Sequence, residues 1–341
     1  MRISITLPVV PGPLAGNTFA DVEAAGYDGA FTFESSHDPF LPLALGATHT
    51  TRLTLGSAVA IGFARNPMVL ANIGHDLQLI TEGRFVLGIG SQIRPHIERR
   101  FSESWSRPAA RMAEMVRAIR AIWSTWETGA RLDFRGEFYQ HTLMTPAFDP
   151  GPNPFGTPPI AIGGFGTHMV QAAGEVADTL IVHPFNTART VADVVVPALA
   201  QGAARAARPL SDIDLIWVTM VVPWHDEQSR SQAMTSAKGQ LAFYASTPAY
   251  RPTLQAHGWD DLHQPLNTLS KQGRWLDMIN LVPDELVETI AVCGPRDEIA
   301  GRIVARLDGL STHVGLVNSR QPDPSWFADI VGDLRAAQAN P

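Results

Sequence analysis

Three groups of residues in this chain have types and spacings suited to chemistry. The first is the run Gly163-Gly164-Phe165-Gly166-Thr167, which leads into a helical segment. Unpaired N–H groups at a helix start, together with the helix dipole, attract anions. Glycine lets a phosphate approach the backbone closely. The run therefore reads as a phosphate site, its plainer alternative being a tight turn that needs positive φ. The second group is His37, His96, His183 and His225, each following an apolar run. A histidine so placed can donate, accept or transfer a proton near neutrality, though a lone one is more often a hydrogen-bonded structural residue. The third is Glu34-Ser35-Ser36-His37-Asp38, where a carboxylate could act as acid or base or could anchor neighbouring backbone.

Other chemistries lose their signals. No HExxH, GxSxG or GxxxxGK[ST] occurs, which removes the strongest marks of a zinc protease, a serine hydrolase and a phosphate-loop NTPase. No metal centre is expected. The single cysteine, Cys293, excludes an internal disulfide and every CxxC motif. A net charge of −7 disfavours a nucleic-acid partner. No run of about 18 uncharged apolar residues exists, so a membrane span is not expected. Met1-Arg2-Ile3-Ser4-Ile5-Thr6-Leu7 reads as a strand rather than a secretory leader. The expectation is a cytoplasmic protein acting on a small molecule.

The elements that must position these residues alternate along the chain. Apolar runs predict strands over 3–7, 29–33, 53–60, 85–89, 159–162, 179–182, 214–222 and 313–317, mostly unbroken, as in parallel strands covered on both faces. Helical patterns lie over 18–26, 67–82, 109–127, 167–177, 188–206 and 295–308. Eight such units predict an α/β (β/α)8 TIM barrel in one domain spanning 1–341, with insertions of about 92–158 after strand four and 226–292 after strand seven. A hairpin turning at Arg135-Gly136 falls in the first insertion. The rival doubly wound fold would need GxGxxG after the first strand. Gly88–Ile93 and Gly164–Met169 both lack the third glycine and neither follows that strand. In a barrel the chemistry sits at the C-terminal strand ends. That rule selects Glu34–Asp38, Gly90-Ser91-Gln92, Gly163–Thr167, His183, His225 and Asn318-Ser319-Arg320. Aromatic residues in the same loops, Phe63, Phe155, Phe165 and Phe185 among them, could wall an apolar pocket for a flat cofactor.

An ordered series of segments carries a resemblance. It comprises Gly26–Glu34, Thr51–Val59, Arg65-Asn66-Pro67, Thr81–Ser91, Pro159–Gly164 and Ala172–Asp178. The series resembles the bacterial luciferase-like flavin and deazaflavin oxidoreductases, most of all their coenzyme F420-dependent branch. The resemblance covers residues 1–185 well. It implies a TIM barrel, often a homodimer, with F420 or alternatively FMN in the mouth. It implies a bulge in strand three behind the ring, formed by Ser57, Ala58 and Val59, with a non-prolyl cis peptide at Ala58–Val59. It places Gly90-Ser91-Gln92 at the ring edge and Gly163, Gly164, Phe165, Gly166 and Thr167 at the phosphate tail. Gly164→Asp would then abolish cofactor binding.

Several members of that family carry an acidic residue followed by His after strand two. Here Glu34 is followed by Ser35, and His37 is the nearest histidine. Glu34, Ser35, His37, His96 and His183 are accordingly the catalytic candidates. The resemblance implies hydride transfer between F420 and a small organic substrate. Its alternatives are an FMN-dependent monooxygenase using O2 and a separate flavin reductase, and a non-catalytic barrel that binds a flavin-type cofactor.

Overall fold

The computed structural model describes residues 1–9, 12, 15–317 and 324–339. Eight strands form the barrel: β1 Arg2–Leu7, β2 Gly29–Thr32, β3 Thr54–Ser57, β4 Phe85–Gly90, β5 Ile160–Gly164, β6 Thr179–Val182, β7 Asp214–Trp224 and β8 His313–Val317. Each pairs with its sequence neighbour in parallel, and β8 pairs with β1 through Arg2↔His313 to Ile5↔Leu316, which closes the sheet. The expected (β/α)8 barrel is the observed fold. The helix signals act where the sequence put them. The Asn66 side chain caps the helix Pro67–Ile80 by accepting from Met68 N–H at 2.9 Å, and Gly83 leaves it at φ +87°.

Side chains alternate across a strand, so every second residue points into the barrel. Phe31, Ala161, Ile181, Ile216 and Val218 form the interior cluster, with Ala58, Val59, Val86 and Val317 packed against it. The opposite faces, with Ile3, Leu55, Leu87 and Leu180, pack under the surrounding helices.

Two expected strands differ where they meet the mouth. The predicted strand 53–60 is interrupted at Ala58-Val59 and resumes at Ala60–Ile61. The pairing Leu55↔Phe85 gives way to Ala60↔Ile89, five residues against four, so β3 carries one extra residue. That count is a β-bulge. Strand β7 runs two residues past its predicted end, because Val292–Pro295 pairs with Val221–Trp224 and supplies partners above the barrel rim. The segment 226–292 folds as a helical layer with a core of its own, including Met234, Leu241, Leu254, Leu266 and Leu286 over Phe185. The hairpin of the other insertion is present, pairing Phe134–Arg135 with Gln140–His141, but it turns over residues 136–139 rather than at Arg135-Gly136, since Arg135 is paired with Gln140. No helix among the described residues is long and apolar enough to cross a membrane.

Candidate active site

The mouth of the barrel is built around the bulge. Ala58 N–H donates to the Thr32 carbonyl at 2.7 Å, and the Val59 carbonyl accepts from Glu34 N–H at 3.1 Å. The Ala58–Val59 bond is cis, as the resemblance implies. Ser57 Oγ donates to the Gly88 carbonyl at 2.6 Å and accepts from Gly88 N–H at 3.1 Å, tying the bulge to β4. The extra residue takes up space inside the barrel, and three glycines supply it. A Cβ at Gly88 would overlap the Ser57 carbonyl. One at Gly90 would lie 2.6 Å from Val59 Cγ2, and one at Gly163 would lie 2.8 Å from Val59 Cγ1. Ala58 and Val59 stay half-buried at the mouth. The glycines at 88, 90 and 163 are therefore required by the bulge itself, whatever binds above it.

Glu34 is committed to structure. Its carboxylate accepts from Ile61 N–H at 2.7 Å and from Arg65, whose other nitrogen donates to Asp38 at 2.9 Å. The Glu34 side chain is 7% exposed and that of Arg65 13%. The pair locks the segment after β2 to the segment after the bulge. The contacts of Glu34 support an anchoring role. Arg65 guanidinium also lies 5.4 Å from the Phe40 ring centroid.

The other sequence candidates are spread around the mouth. Ser35 and His37 are exposed in the loop after β2, where the Ser35 carbonyl accepts from Arg100 at 2.7 Å. His96 is exposed on the short helix Arg94–Arg99. Gln92 adopts φ +58° and folds its side chain back to accept from Ile93 N–H at 2.9 Å, while Ser91 Oγ donates to the Gln92 carbonyl at 3.0 Å. His225 is exposed beyond β7. Asn318, Ser319 and Arg320 lie outside the described residues.

The loop after β5 separates into two parts. Gly164 does not face the mouth. A Cβ there would lie 2.8 Å from Leu180 and 3.4 Å from Val170 in the layer under the helix. Gly164→Asp would thus fail by burying a carboxylate in that layer, and it reports nothing about phosphate. Gly166 differs: at φ +79° and with nothing within 4 Å of its Cβ position, it opens the helix Thr167–Val176. Val170 N–H reaches the Gly166 carbonyl at 3.2 Å. The N–H groups of Thr167, His168 and Met169 have no partner among the described residues, and no acidic residue occupies the first turn. Thr167 is exposed. This arrangement fits an anion.

His183 sits at the end of β6 in an aromatic surround. Its ring stacks on Tyr250 at 4.3 Å and 28°, meets Tyr244 edge-on at 4.7 Å, and meets Phe165 edge-on at 5.9 Å. Its Nδ1 accepts from Phe185 N–H at 3.1 Å. Burial pushes its pKa down to about 3, so the ring is neutral near pH 7. Burial likewise raises the Tyr250 phenol to about 12.

Tyr244 and Tyr250 are the residues that the sequence did not yield. They come from the helix Glu227–Ala245 and the turn Pro248–Tyr250 of the second insertion. Only four tyrosines occur in the chain, and two lie six residues apart here. Phe155 is a correction of the opposite kind. It contacts Gly83 before β4, at the N-terminal end of the barrel, and cannot wall the mouth. A cleft of about 680 Å3 beside Trp224 and Asp333 is lined by His225 and by none of the other candidates, and its Arg296 is tied to Asp333 at 2.8 Å.

Known proteins share this architecture. Residues 15–313 match the luciferase-like monooxygenase family. An uncharacterized protein of Mycobacterium tuberculosis is 48% identical over 307 residues, covering 89% of this chain and 90% of that one. The 5,10-methylenetetrahydromethanopterin reductase of Archaeoglobus fulgidus is 27% identical over 91% of each chain. The solved structure of coenzyme F420 dependent tetrahydromethanopterin reductase from Methanopyrus kandleri superposes with a TM-score of 0.80, at 22% identity over 97% of each chain. A match over residues 15–313, on a closed barrel, places the chain in the luciferase-like monooxygenase family.

Proposed function

We propose that the protein is an F420-dependent oxidoreductase that transfers a hydride between the deazaflavin and a small organic substrate. The observation that carries this reading is the mouth itself: a half-buried Ala58–Val59 platform beside a helix start with three N–H groups unpartnered among the described residues. A flat ring and a phosphate tail need those two surfaces side by side. Relatives named as F420-dependent or methanopterin reductases over most of the chain length support the deazaflavin over other flat ligands.

Bound F420 would supply the hydride chemistry. The chain's residues would do the rest. Ala58 and Val59 would back the ring, Gly90, Ser91 and Gln92 would border it, and Gly163, Phe165, Gly166 and Thr167 would take the tail. Glu34 would hold the platform through Ile61 and Arg65 rather than move a proton. Phe165, Tyr244 and Tyr250 would keep water from the reacting face, where a dry site strengthens every polar contact.

The test is a redox assay. Purified protein with reduced F420 should oxidise it, without oxygen, on addition of a suitable member of a panel of small ketones and imines. Oxygen uptake with reduced FMN, and none of this turnover, would support the monooxygenase instead. Tight cofactor binding with neither reaction would support the non-catalytic barrel.

A further inference from the structure

His183 belongs to the mouth by position. Along β6 the side chains of Thr179, Ile181 and His183 share one face, and Ile181 is a member of the interior cluster. The ring therefore faces the barrel mouth above that cluster, beside Phe165 after β5. The described residues in contact with it are uncharged. Phe165 and Phe185 carry no titratable group, and Tyr244 and Tyr250 are phenols whose burial keeps them protonated.

The hydrogen bonding of the ring fixes its proton. A ring nitrogen that accepts a hydrogen bond is unprotonated, and Nδ1 accepts from Phe185 N–H. The neutral ring then carries its proton on Nε2. Among the described residues, Nε2 has no hydrogen-bond partner. The Phe185 contact accounts for Nδ1 and leaves Nε2–H without a use among the described residues. An N–H donor with no partner among the described residues, between aromatic walls, is open to the oxygen of a ligand.

We infer that His183 is a fixed neutral donor whose Nε2–H binds the oxygen of an uncharged carbonyl or hydroxyl compound, and that the aromatic walls beside it disfavour carboxylates and phosphates as substrates. The uncharged oxygen follows from the walls, since the N–H itself would serve any oxygen acceptor. An anion would lose its hydration against aromatic rings that, among the described residues, offer no cation to replace it. The inference rests on the proposed reaction only for calling this ligand the substrate. The binding preference stands on the ring's aromatic surround alone.

Two readouts on the full chain test it. The imidazole 15N signals of wild type, with His183 assigned by its absence in His183→Gln, should show the proton on Nε2 and no titration from pH 5 to 8. Acetophenone and benzoate, matched in shape and differing in charge, serve as probes in the presence of F420. Acetophenone should bind wild type at least tenfold more tightly than benzoate. His183→Gln, which keeps a side-chain N–H, should hold acetophenone within about threefold, whereas His183→Phe should lose at least tenfold. A proton on Nδ1, titration in that range, no preference of wild type for acetophenone, or unchanged affinity in His183→Phe would each overturn the inference. F420 fluorescence in the same samples reports cofactor binding separately, so failure of the cofactor reading and failure of the His183 reading are told apart.

Discussion

Glu34 illustrates how a residue's type and its employment part company. Its place after β2 was legible because strand ends carry chemistry in barrels. Its use was not, because Arg65 lies 31 residues away and reaches it only through the fold. Removing one member of a buried ion pair leaves an unpaired charge and costs about 3–5 kcal/mol. Arg65→Met should therefore lower stability by about 3 kcal/mol, measured by denaturant unfolding, and Glu34→Gln/Arg65→Met should lose less than Arg65→Met alone. A loss below about 1 kcal/mol, the range of an exposed pair, would mean that the pair does not hold the bulge. Thr167 offers the complementary test at the helix start. Aspartate in a first helical turn favours the helix by roughly 0.3–1 kcal/mol, yet it sets a negative charge where phosphate would lie. Thr167→Asp should keep or raise the melting temperature while weakening F420 binding at least tenfold, about 1.4 kcal/mol. Unchanged affinity would remove this helix from the cofactor site.

The bulged strand β3 is the element on which the mouth depends. Leu53–Ala60 is a largely apolar run, so its extra residue leaves no trace in its own pattern. The trace lies in its neighbours, as Gly88, Gly90 and Gly163, whose missing side chains make room for Ser57 and Val59. The family resemblance located the bulge at Ala58–Val59; composition and periodicity alone did not. Overfilling a packed interior costs about 1–3 kcal/mol. Gly90→Ala should destabilise by that amount, and adding Val59→Ala should recover part of the loss, because the two residues share one space. Strict additivity of the two changes would contradict the steric account. The insertion 226–292 was legible only as polar and helix-leaning. Its contribution of Tyr244 and Tyr250 to the mouth depends on how its helices pack on Phe185, which no local pattern encodes.

At the scale of the whole molecule, the alternation of strands and helices made the barrel readable, since each strand is buried on both faces and each helix needs one apolar stripe. That same burial sets an acid limit. His313, donor or acceptor to Ser4 Oγ at 3.0 Å inside the barrel, has its pKa pushed down to about 4 by burial. The unfolded chain takes up this proton near pH 6.5, whereas the folded chain does not until about pH 4. Stability should be full above pH 6.5 and fall progressively to pH 4, with His183 adding to the slope, as equilibrium unfolding would record. A flat profile across that window would contradict the burial of both rings. The central claim, that this mouth holds a deazaflavin, is tested most directly by titrating the purified chain with F420 and, in parallel, with FMN, reading their fluorescence. F420 should bind at micromolar concentration or tighter, and FMN more weakly. Tighter binding of FMN, or binding of neither, would contradict the claim.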